Sequence, residues 1–102
     1  MFSLTLNILE DPQRIRDIFL NMNTVLSDIC SPERIGASYV CSPSETCLIT
    51  ISLVEEMPKF SIYVKLESER AGELMELIRK INSKFKNNGI HATLLTSSKI
   101  SL

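Results

Sequence analysis

A chain of 102 residues has room for one hydrophobic core and not for two, and an apolar share of 44% with 23% charged residues excludes wholesale disorder. A formal net charge of −1 excludes a protein that grips nucleic acid with its whole surface, although local basic patches stay open. No apolar run approaches the about 20 residues that span a bilayer, so a soluble protein without membrane contact is expected.

Residues 1–7 alternate apolar and polar side chains and lack a basic opening, which predicts a strand rather than a secretory signal. Phe2, Leu4, Leu6 and Ile8 take one face, with Ser3, Thr5 and Asn7 on the other. Asp11-Pro12 then stops the strand and starts a helix. Asp11 can cap the orphan amides, and proline at the first helical position loses no needed donor. Ile15, Ile18, Phe19, Met22, Val25, Leu26 and Ile29 recur at helical spacing, predicting one continuous helix with a single apolar stripe. Ser31-Pro32 ends it, because proline cannot continue the ladder.

Residues 35–41 predict a weak edge strand interrupted by Gly36, followed by turn chemistry in Ser42-Pro43-Ser44-Glu45. Cys47, Ile49, Ile51 and Leu53 then share one face of a strand, opposite Thr46, Leu48, Thr50 and Ser52. Glu55-Glu56-Met57-Pro58 reverses the chain into Phe60, Ile62, Val64 and Leu66, which alternate with Ser61, Tyr63, Lys65 and Glu67. Ser68 is the expected cap of a second helix that buries Ala71, Leu74, Leu77, Ile78, Ile81 and Phe85. Asn87-Asn88-Gly89 ends that helix. A final strand turns Ile90, Ala92 and Leu94 inward, and residues 96–102 form a tail that is frayed or ordered by a partner, with Ile100 and Leu102 as docking residues. This order predicts an α+β fold over residues 1–102 as a single domain. It is a ferredoxin-like split βαβ sandwich, an antiparallel sheet with two helices on one face.

Chemistry-bearing residues are sparse. Cys30, Cys41 and Cys47 are an odd number at irregular spacing, so no disulfide framework is expected and a reducing, cytoplasmic location follows. They offer no C-x₂₋₄-C pair for zinc, and alternation sets His91, the only histidine, on the polar sheet face away from Cys47. Glu10-Asp11 falls at a helix start and Glu55-Glu56 in a hairpin turn, so neither supplies two carboxylates in differing environments. Gly36, Gly72 and Gly89 stand alone, which excludes a phosphate-cradling loop. No self-contained catalytic site, metal or cofactor is expected.

Two surfaces are left to carry function. The sheet face away from the helices displays Leu48, Thr50, Tyr63, Thr93 and Leu95 among hydroxyl residues. Tyr63 is its one aromatic, too few to stack bases in the manner of an RNA-recognition motif, so the face suits water or a second subunit. The other surface is the end of the second helix, where Arg79, Lys80, Lys84 and Lys86 follow Glu67, Glu69, Glu73 and Glu76. The helix dipole rewards that polarity in a solvated face. The alternative is an RNA contact to phosphates, joined by Lys59 and Lys99.

Asp11-Pro12-x-x-Ile15-x-x-Ile18 after a strand resembles the opening of an ACT domain, which implies a small regulatory ligand near Asp11–Arg14; Gln13 stands where that family has glycine. Leu77-x-x-x-Ile81-Asn82-Ser83 resembles the end of the second helix of the Pcc1 family, with Ile78 where an arginine is usual. That resemblance implies a small dimerising accessory subunit of the KEOPS tRNA-modification complex, not a catalyst. The expectation for the whole chain is a non-enzymatic interaction module, a homodimer or a small subunit of an intracellular complex.

Overall fold

The computed structural model describes residues 1–56 and 59–97. β1 (Phe2–Glu10) forms where the alternation predicts it, with Leu6 and Ile8 buried on its inner face. Asp11 caps α1 (Pro12–Leu20), its side chain accepting from the amide of Arg14 at 3.1 Å. The expected continuous helix divides at Asn21, and a short α2 (Met22–Val25) follows. Asn21 Nδ2 donates to the Asp17 carbonyl at 2.8 Å, the Thr24 amide to Asn23 Oδ1 at 2.9 Å, and Ser27 Oγ to the Thr24 carbonyl at 3.0 Å. Short polar side chains compete with the helical ladder for backbone partners, and here they break it. The apolar stripe survives the break: Ile15, Ile18, Phe19, Met22, Val25 and Leu26 are all buried.

Two strands, β2 (Glu33–Ile35) and β3 (Ser38–Ser44), replace the single weak strand expected over residues 35–41. The interrupting Gly36 is the turn between them, and its φ of 61° is a conformation that side chains rarely tolerate. β3 carries Pro43 within a bulge between Cys41 and Ser44, so the turn falls later, at Glu45 and Thr46. β4 (Cys47–Glu56) and β5 (Lys59–Ser68) make a long hairpin closed by the pair Glu56 and Lys59.

The residue before α3 (Ala71–Asn87) is Arg70 rather than the expected cap Ser68, whose hydroxyl instead accepts from the Arg70 amide at 3.1 Å. Leu74, Leu77, Ile81 and Phe85 are buried, Ile78 is half-buried, and Ala71 is exposed at the helix start. β6 (Thr93–Ser97) begins after Ile90 and Ala92 and extends into the segment expected as a tail. Met57, Pro58, Lys99, Ile100 and Leu102 lie outside the described residues.

The strands form one six-stranded sheet in the order β2-β3-β4-β5-β1-β6, with every neighbouring pair antiparallel. Its β4-β5-β1-β6 part is the ferredoxin-like sandwich, and β2 and β3 extend one edge. α1 and α3 both lie over β5 and β1. Their apolar stripes join Leu6, Ile8, Ile49, Ile51, Ile62, Val64 and Leu66 of the sheet in one core. Among the described residues no helix is long and apolar enough to cross a membrane.

Cys30, just past α2, meets Cys41 of β3 in a disulfide, with their Cα atoms 6.0 Å apart. This corrects the expectation that the odd, irregularly spaced cysteines form no disulfide framework. Their separation of 11 residues carries no signature, and only the return of the chain from α2 to β3 brings them together. The cysteine count therefore no longer supports a reducing compartment. Cys47 remains free and buried.

Candidate functional site

The strand register fixes the open face of the sheet, away from α1 and α3. One row across it reads Ser38, Ser52, Tyr63, Asn7 and Thr93. The next reads Val40, Thr50, Lys65 and Thr5, and a third Leu48, Glu67 and Ser3. Of the expected interface residues, Leu48, Thr50 and Tyr63 are half-buried on this face, while Thr93 and Leu95 are exposed on β6. Ser3, Asn7 and Ser61 are buried despite lying on the uncovered side. Asn7 Nδ2 donates to the Ile62 carbonyl at 3.3 Å, so even the polar centre of the face is engaged. Lys65 and Glu67 stand 4.0 Å apart near the middle of the face, and Glu33 of β2, paired with Val40, lies on the same side.

β6 closes one edge of this surface imperfectly. Leu94 pairs with Leu6 on the core side yet is 52% exposed, because α3 lies over β5 and β1 rather than over β6. The register shifts between Leu4 and Leu6, which sets Leu95 at an irregularity. His91 precedes β6 instead of facing out from it. It lines a cleft with Asn82, Phe85 and Lys86 on the helical side, which corrects its expected place on the polar sheet face.

The basic end of α3 is partly neutralised. Arg79 Nη1 lies 3.3 Å from Glu76 Oε2, and Lys84 forms an ion pair with Asp28 beyond α2. Hydrogen bonding to Lys84 and then its charge hold the Asp28 carboxyl below its ordinary range. Among the described residues, Lys80 and Lys86 have no ion pair. The segment that resembles an ACT opening is also occupied. Arg14 pairs with Glu10 at 3.1 Å and donates to the Gly89 carbonyl at 2.7 Å, while Asp11 serves as a cap.

One polar cluster escaped the sequence reading. The Glu73 carboxylate, in the first turn of α3, accepts from Thr46 Oγ1, from Ser68 Oγ at 3.0 Å and from Ser44 Oγ at 3.3 Å. Thr46, then the Cys47 thiol and the Ser68 hydroxyl, with Ser44 last, hold its carboxyl down at about 2 against the opposing effect of burial. The cluster borders a cleft of about 320 Å³ that is also lined by Asp28, Pro43, Cys47 and Lys80. Its donors all turn toward Glu73, so it ties the start of α3 to the β3–β4 turn. Ser68 and Glu73 stand five residues apart, not the three of a capping box, so no local sequence pattern marks the cluster.

The fold and these surfaces define the class: a ferredoxin-like α+β domain, extended at one edge, with one sheet face covered by helices and the other open. No protein-family model matches the chain, and comparison with curated proteins finds no relative.

Proposed function

We propose that this chain is a non-enzymatic interaction module that pairs with a second copy of itself through the open sheet face, and so acts as a small accessory subunit of a larger complex. The observation that carries the proposal is the open face itself, with Leu48, Thr50 and Tyr63 at its centre and Leu95 on β6. A two-fold interface must be complementary to itself. Lys65 and Glu67 supply opposite charges side by side, and the surrounding hydroxyls of Thr5, Thr50 and Ser52 neither repel a copy nor demand a charged partner.

The resemblance to the Pcc1 family supports the same role in tRNA modification. Its Leu77 and Ile81 are buried in α3, while Asn82 and Ser83 are exposed and free to meet a partner subunit. Light scattering over a range of concentrations tests the pairing. A mass of two chains is expected, reverting to one in Tyr63→Arg with the fold retained. A strict monomer that co-purifies with nothing would end the proposal.

A second reading is RNA contact through Lys80 and Lys86, favoured by their exposure and lack of ion pairs among the described residues. It requires affinity that falls steeply with salt and is lost in Lys80→Glu with Lys86→Glu. Salt-independent binding would contradict it. A small-ligand role near Asp11–Arg14 is supported only by the resemblance to the ACT opening. Thermal stabilisation by amino acids or nucleotides would revive it.

A further inference from the structure

Arg16 of α1 and Arg34 of β2 come from distant parts of the chain to line one cleft of about 230 Å³, with Phe19, Leu20, Leu53 and Glu55 completing it. Each guanidinium lies over an aromatic face: Arg16 is 5.4 Å from the centre of the Phe60 ring, and Arg34 is 5.6 Å from that of Phe19. Stacking uses the flat face of a guanidinium and leaves its N–H edges directed outward. Among the described residues neither arginine has a carboxylate within ion-pair distance, Glu55 included. Arg34 gives only its Nε, to the Gly36 carbonyl at 3.1 Å.

We propose that this cleft binds a small organic anion, a carboxylate or phosphate carried on a short apolar body. The two forks take the anionic head, because planar paired donors match a carboxylate or phosphate edge to edge. The apolar body rests on Leu53 and Leu20, the latter left 55% exposed, while Phe19 lies beneath Arg34. Stacking on Phe60 and Phe19 holds both forks in place before the ligand arrives, which lowers the ordering cost of binding. Glu55, at the end of β4, works against the anion and sets the limit on affinity. The cleft is small, which restricts the body to a few carbons and the dissociation constant to about 1 mM.

The test follows the Arg Nε–Hε resonances by NMR while the intact chain is titrated with hexanoate or with inorganic phosphate. Hexanoate is expected to shift the Arg16 and Arg34 signals saturably, and phosphate to do so more weakly because it lacks an apolar body. Arg16→Gln and Arg34→Gln should each weaken hexanoate by about five- to tenfold, as loss of a charge-assisted hydrogen bond does. Both substitutions fall on exposed side chains, and the unchanged amide spectrum reports that the fold is intact. Glu55→Gln should tighten binding. No saturable shift with either probe, or equal binding by the double arginine variant, overturns the proposal. Weaker binding in Glu55→Gln would also overturn it, because the anion would then sit elsewhere.

Discussion

Arg14 donates a hydrogen bond of 2.7 Å to the carbonyl oxygen of Gly89, joining the first turn of α1 to the turn that ends α3. Gly89 has a φ of 69°, and a Cβ built there would lie 3.8 Å from Arg14 Nη2, an ordinary contact. The cost of a side chain at this position therefore lies in the backbone and not in a clash. Gly89→Ala is expected to lower stability by about 1 kcal/mol, and Gly89→Asn by less, since asparagine tolerates the left-handed region. Urea unfolding measures both, and equal stability of alanine and glycine at this turn would contradict the geometry.

Phe19 stitches the added strands to the ferredoxin-like core. Its ring centre is 4.9 Å from that of Tyr39 on β3, and Arg34 of β2 covers its face. Only 1% of Phe19 is exposed. Phe19→Ala is expected to cost about 3–5 kcal/mol, because it removes a buried ring and leaves a cavity that helix and strand cannot both close. Phe19→Leu should cost clearly less. Denaturant midpoints test the ranking, and amide exchange should show β2 and β3 losing protection first.

Much of this fold is legible in the sequence because the inward-facing apolar side chains of the core strands recur at a period of two. Phe60, Ile62, Val64 and Leu66 point inward as alternation requires, and their pairing with β1 and β4 follows from hydrophobic faces alone. The hairpin of β2 and β3 was not legible, because Gly36 looks the same as an interruption and as a turn until its φ is known. The break at Asn21 was hidden for a different reason: the apolar stripe continues through it, and the competing bonds are made by polar side chains on the outer face. The candidate surfaces divide in the same way. Leu48, Thr50 and Tyr63 share the open face because parity decides it. The arginine cleft depends on Arg16 and Arg34, whose meeting across a helix and an edge strand no local pattern encodes.

The disulfide between Cys30 and Cys41 makes a chemical prediction. Under denaturing, non-reducing conditions one thiol per chain should react with an alkylating reagent, namely that of Cys47. Under native conditions even that thiol should react slowly, because Cys47 is only 6% exposed. Reduction, or Cys30→Ser with Cys41→Ser, opens a short loop and is expected to cost about 2–3 kcal/mol. Mass spectrometry after alkylation decides the matter, and three reactive thiols in the unreduced protein would remove the cross-link.

Glu73 gives the protein an acid-sensitive joint between α3 and the β3–β4 turn. Hydrogen bonds from Thr46, Cys47, Ser68 and Ser44 lower its carboxyl from 4.5 to about 2. The folded state then binds this proton less readily than the unfolded chain, so the stabilisation is fully present above pH 4.5 and is lost as pH falls through about 2. Glu73→Gln keeps the shape and removes the charged acceptor. The variant is expected to be less stable than the parent near neutrality, with the gap closing as pH falls across that window. Asp28, whose carboxyl is also held low by Lys84, titrates in both proteins and cancels in the difference. Paired urea titrations across the acid range measure the gap directly. A gap that stays constant down to about pH 2 would mean that the hydroxyls around Glu73 do not favour its charged form.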